Sequence, residues 1–269
     1  MLRSIISILL FVLFQLVGFL GVALFLTGSV NGDFSGELLV SITIWGSYLS
    51  YLLLFLTLWA LHFFKPSDIT KKLPLKALLL SVVMSLLLIM PISELNSAFE
   101  LSNRLGDLFK QITQSLWGIL IIAVCGPVIE EIVFRRIIID DFMKCFGKQW
   151  VAIVVSSALF GLIHMNPVQM LSGFLIGLAL GWTYCRTGSI LPGILVHIIN
   201  NSIGVLEMRC SENGWSLSPD GVKFYQNPWS LLIFTSSIIL AFVLAAALNR
   251  FYSQKSQLQS NCSSVKSIE

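Results

Sequence analysis

Six residues able to do chemistry sit in stretches that are otherwise apolar: Glu130, Glu131 and Arg135, then His164, then His197 and Asn201. An ionisable side chain at the centre of a membrane helix costs roughly 2.5 to 3.5 kcal/mol to insert, so several in one small chain imply a shared, wet, inward-facing cavity. Helical spacing separates their roles. Glu131 and Arg135 are four residues apart, acid before base, and neutralise each other on one face. Glu130 lies about 100° around the helix from Glu131, and its own i+4 neighbour is Phe134, so it keeps an unpaired carboxylate suited to a general base. His197 and Asn201 are also four apart and can aim two donors at one point, the geometry of an oxyanion hole.

These groups need helices that cross a bilayer. The chain of 269 residues is 56% hydrophobic and only 12% charged, about half the charge of a soluble globular domain. Apolar runs of membrane-spanning length are predicted at Ser4–Thr27, Val40–Phe64, Leu75–Pro91, Ser115–Asp140, Trp150–His164, Val168–Cys185, Ile190–Leu206 and Trp229–Asn249. The expected fold is an all-α, polytopic membrane helical bundle of about eight transmembrane helices. It forms a single domain over residues 1–249, with its motif core at 117–201 and a disordered polar tail at 250–269. Counting 1.5 Å per residue puts Glu130 and His197 about 15 Å and His164 about 21 Å in from their span ends, so the three are nearly level. Pro127 removes a backbone hydrogen bond one turn before Glu130, which bends that helix and opens room for water.

Thirteen of the seventeen Lys and Arg fall in loops on one side of this threading, which places both termini in the cytoplasm. They form no patch, so nucleic acid is not an expected partner. Five scattered cysteines without a CxxC pair support neither a disulfide framework nor a thiolate zinc site. Trp45, Trp59, Trp117, Trp150 and Trp229 read as interfacial anchors, and His62, beside Lys65, as an interfacial histidine. Gly173, Gly177 and Gly181 give the sixth span a smooth packing face. The polar loop from Glu207 to Asn227 reads as a small extramembrane cap.

Three segments resemble the motifs of the CAAX protease and bacteriocin-processing family: Glu130-Glu131-Ile132-Val133-Phe134-Arg135, then Phe160-Gly161-Leu162-Ile163-His164, then His197-Ile198-Ile199-Asn200-Asn201. Their order, and the linking Thr187-Gly188-Ser189-Ile190-Leu191-Pro192, also look like that family. The resemblance covers about Trp117 to Asn201 and implies an eight-helix intramembrane endopeptidase. In it Glu130 and His164 would activate water, while His197 and Asn201 stabilise the oxyanion and Glu131, Arg135 and Phe160 support them. One departure is Arg136, where the family often has Gly, which puts the local helix packing in question.

The expected reaction is therefore hydrolysis of a peptide bond in a membrane-associated protein or peptide, with the lipid bilayer as surroundings and no cofactor required. A metal version would use Glu130, His164 and His197 to hold zinc or another divalent cation with an open position for water. Two other classes compete: a proton-linked transporter using Glu130, His164 and His197 as a relay, and a non-catalytic scaffold or immunity protein.

Overall fold

The computed structural model describes residues 1–28, 36–212 and 227–266. Among the described residues, seven helices are long and apolar enough to cross a membrane: α1 (Leu2–Thr27), α2 (Gly36–Ala60), α3 (Leu75–Ala98), α4 (Leu116–Phe146), α6 (Pro167–Thr187), α7 (Leu191–Glu212) and α8 (Pro228–Lys266). Between α4 and α6 lies the shorter apolar α5 (Gln149–Leu162). Among the described residues there is no strand, and the chain forms the expected all-α membrane bundle.

Three boundaries differ from the sequence reading. At about 21 Å, the 14-residue α5 is shorter than the hydrocarbon core. It stops because Pro167 drives Asn166 into extended backbone (φ −122°, ψ 115°), so the chain turns at Met165, which takes a left-handed φ of 50°. The third span does not end at Pro91. Pro91 has no N–H for the Leu87 carbonyl, the helix yields at Leu87–Leu88, and a second segment, Ile89–Ala98, continues. The last helix continues past Asn249, the expected end of the eighth span, to Lys266. Most of the 207–227 loop lies outside the described residues.

α4 is the centre of the bundle. Ile129, Ile132, Val133, Phe134, Ile137, Ile138 and Ile139 are all buried, and with Leu54, Leu58, Phe160, Leu180 and Val196 they form the core. α1 and α8 lie outside and expose Leu, Ile, Val and Phe, as lipid-facing helices do. The five predicted anchor tryptophans are all exposed. The smooth face of α6 meets α5, with Gly173 against Gly161 and Gly177 against Ser157, so small residues bring those two backbones close.

Candidate intramembrane active site

The site starts from a defect in α4. Its Ile121–Cys125 stretch winds with wide turns, and the Gly126 N–H reaches back five residues to the Ile121 carbonyl. The next such donor in register would be residue 127, which is proline. The Ile122 carbonyl therefore lacks a partner within its own helix. Asn201 of α7 supplies one, donating from Nδ2 at 3.0 Å. The bend expected from Pro127 is thus a local unwinding whose freed acceptor binds α7 at a motif residue.

The same face of α7 carries Gly193, His197 and Asn201, each four residues from the last, and they descend α4 in antiparallel register. Gly193 lies against the Glu131 carboxylate, in the space where any Cβ would sit. His197 stands between the two acids, its Nε2 3.4 Å from Glu130 Oε2 and its Nδ1 3.4 Å from Glu131 Oε1. Asn201 then takes the Ile122 carbonyl, and Asn200 donates to Asn201 Oδ1 at 3.2 Å. Those two bonds fix the carboxamide orientation, and the second N–H of Asn201 remains for another acceptor.

Glu131 is fully buried and pairs with the equally buried Arg135 at 3.1 Å, as the spacing predicted. The Arg135 guanidinium lies 4.5 Å over the ring of Phe160, a stacking that Arg makes and Lys does not reproduce. Phe160 also meets the imidazoles of His164 and His197 edge-to-face, with centroids 5.0 and 5.5 Å away. This one ring thereby sets the positions of both histidines and the arginine.

His164 sits in the tight turn just after α5, its N–H on the Gly161 carbonyl. Its Nδ1 is 2.8 Å from the Phe160 carbonyl. A carbonyl only accepts, so Nδ1 carries the proton and Nε2 is the free basic nitrogen. The following turn is held by the buried Asn166, which donates to Asn103 and Gln169 and accepts from the Arg104 N–H. Arg136 faces away from this site. It bonds Asp68 at 2.9 Å and pairs with Asp140, tying the loop after α2 to the end of α4 without disturbing the packing around Glu131.

Glu130, His164, His197 and Asn201 line one cavity of about 410 Å³. The remaining wall includes Tyr51, Phe109, Ile122, Ser172 and Asn200. Three of the four α2 liners, and those of α5 and α6, come from the helix halves nearest Gly36, Leu162 and Pro167, so the cavity lies towards that end of the bundle. The sequence reading did not anticipate that His197, and not His164, is nearest to Glu130, nor that Gly193 matters. The glycine's place one turn before His197 was the available signal. Among the described residues no group of three His, Cys, Asp or Glu is gathered as a metal's ligands. Glu130, His164 and His197, the set considered for a metal, are not gathered as one ligand shell.

Fold and site together define an integral, multi-pass membrane protein with a polar cavity between its helices. Residues 112–203, about a third of the chain, match the family described as type II CAAX prenyl endopeptidase Rce1-like. The family resemblance of the three motifs is therefore found again in that stretch. Among curated proteins, the chain is 31% identical over 90 residues to "Putative membrane peptidase YdiL" of Bacillus subtilis, covering 33% of this chain and 36% of that protein. It is 30% identical over 97 residues to the membrane-embedded CAAX protease MroQ of Staphylococcus aureus, covering 33% and 38%. A 24.3 kDa Escherichia coli protein is 28% identical over 101 residues, covering 36% and 46%. The matches thus span less than half of each relative. No solved structure matches.

Proposed function

We propose that this protein is an intramembrane endopeptidase that hydrolyses a peptide bond of a membrane-associated protein or peptide by metal-free acid–base chemistry. The observation that carries the reading is the convergence on one cavity of an acid, two imidazoles and a carboxamide from three helices, with His197 Nε2 3.4 Å from Glu130 Oε2. Water held between Glu130 and the free Nε2 of His164 loses its proton to Glu130 as its oxygen attacks the scissile carbonyl. The negative charge that develops is met by His197 and by the second N–H of Asn201. Removing one such donor typically costs about 10²–10³ in kcat. Glu130 then returns the proton to the leaving amine. Glu131, paired with Arg135, holds the other side of the His197 ring and takes no part in the proton transfer.

The test is a comparison of protein termini in native-host cells making the wild-type chain or Glu130→Ala at equal membrane levels. New termini seen only with the wild type are expected, and they name the substrates. Identical termini in both would overturn the reading.

A further inference from the structure

Tyr51 lines the same cavity as Glu130, His164, His197 and Asn201, yet it takes no part in the steps above. It stands near the middle of α2, away from the helix ends where tyrosine serves as an interfacial anchor, and is half-buried there. One turn earlier on α2, Tyr48 spends its hydroxyl on the Trp117 carbonyl at 2.9 Å. The Tyr51 hydroxyl lies beside Gly126 instead. A Cβ added to Gly126 would stand 3.4 Å from Tyr51 Oη and 3.8 Å from Glu130 Oε1, so phenol and carboxylate flank one small space that the glycine leaves between them. The other oxygen of Glu130, Oε2, faces His197 Nε2 at 3.4 Å.

A second polar group backs the phenol. Between Ile8 and Leu26 of α1 the only polar side chain is Gln15, and it shares a hydrogen bond with Tyr51. A polar residue inside a membrane helix is costly and marks function by default. The packing of α1 on α2 holds it in place. Gly18, three residues on, is pressed so closely against Gly46 and Ser50 of α2 that no Cβ would fit. Phe11, four residues back and on the same face as Gln15, meets the Tyr51 ring with centroids 6.4 Å apart.

Resting on the peptidase reading above, we propose that Tyr51 is a positioning residue for the general base: its hydroxyl, held by Gln15, donates to Glu130 Oε1 during catalysis and fixes the direction in which the carboxylate meets the attacking water. A carboxylate only accepts, so Tyr51 is the donor to Glu130, and Gln15 donates its own N–H to the phenol oxygen. Such bonds are often long before the substrate binds and tighten in its complex. The chain from Gln15 through Tyr51 to Glu130 carries orientation and no proton. The proton of the attacking water still passes to Glu130 and on to the leaving amine.

The test uses the purified full chain in detergent and a peptide spanning one cut that depends on Glu130. Tyr51→Phe keeps the ring and removes only the hydroxyl. Its kcat should fall at least about tenfold while KM stays within about twofold, because the lost bond aims the base and does not hold the substrate. Gln15→Met should lower kcat several-fold in the wild type and change nothing further in the Tyr51→Phe background, since it acts only through the hydroxyl. If Tyr51→Phe does not accumulate, Gln15→Met alone decides, by a loss in kcat at unchanged KM or by none. Wild-type kcat in either single variant, or losses that simply multiply in the double, overturns the positioning role alone. The absence of any cut that depends on Glu130 in the wild type overturns the peptidase reading beneath it.

Discussion

Replacing Arg135 by Met should be among the most destabilising single changes in this protein, and a second change should undo most of the damage. Arg135 and Glu131 are both buried to within 2% exposure, 3.1 Å apart on adjacent turns of α4. Removing the guanidinium leaves the Glu131 carboxylate in the core with only His197 Nδ1 for company, at 3.4 Å, and strips the cation from the Phe160 ring. Breaking a buried pair in this way costs about 3 to 5 kcal/mol, or roughly two to four decades in the folded-to-unfolded ratio. The double variant Glu131→Gln/Arg135→Met buries no unpaired charge, and a neutral pair of similar shape is often tolerated. It should recover at least half of the loss. Reversible unfolding in SDS–detergent mixed micelles, followed by tryptophan fluorescence for the wild type, both single variants and the double, closes the cycle. A single-variant loss under about 1 kcal/mol, or a double-variant loss equal to the sum of the singles, would refute the argument that this pair is buried and coupled.

Gly193→Ala places a methyl group in the Glu131 carboxylate and should sharply reduce folded protein, whereas Gly204→Ala should be neutral, both read by gel filtration of the detergent-extracted chains. Pro127→Ala restores a backbone donor that competes with Asn201 for the Ile122 carbonyl, so kcat should fall while the membrane level holds. Asn201→Ala should lower kcat by about 10²–10³, checked against a cleaved substrate once the terminal comparison has named one. Arg136→Ala cuts the partly exposed ties to Asp68 and Asp140 and should cost only about 1 kcal/mol, with activity retained.

How much of this could be read in advance depended on whether a feature was local. The Glu131–Arg135 pair, the separation of Glu130 from it, and the shared face of His197 and Asn201 are all consequences of helical periodicity and needed no tertiary information. The unsatisfied acceptor near Pro127 was implicit in its missing N–H, but its partner was not, because Asn201 lies 79 residues further along the chain. The nearness of His197 to Glu130 depends on how closely α7 approaches α4, and that distance is set by one absent side chain at Gly193. The short α5 and the continuation of α3 past Pro91 depend on where a proline ends a helix and where it merely bends one. Apolar content alone does not distinguish those cases.

The two acids of α4 also face different histories as the chain is made. Glu131 finds Arg135 within its own helix, so that charge is neutralised as soon as α4 winds. The nearest partner of Glu130 is His197, 67 residues later, which at about 5 to 20 residues per second means roughly 3 to 13 seconds of further synthesis. For that interval α4 carries an uncompensated carboxylate and a carbonyl with no donor. Lipid does not satisfy either group. The residues that make the cavity also make α4 a costly helix to release alone into the bilayer before α7 arrives.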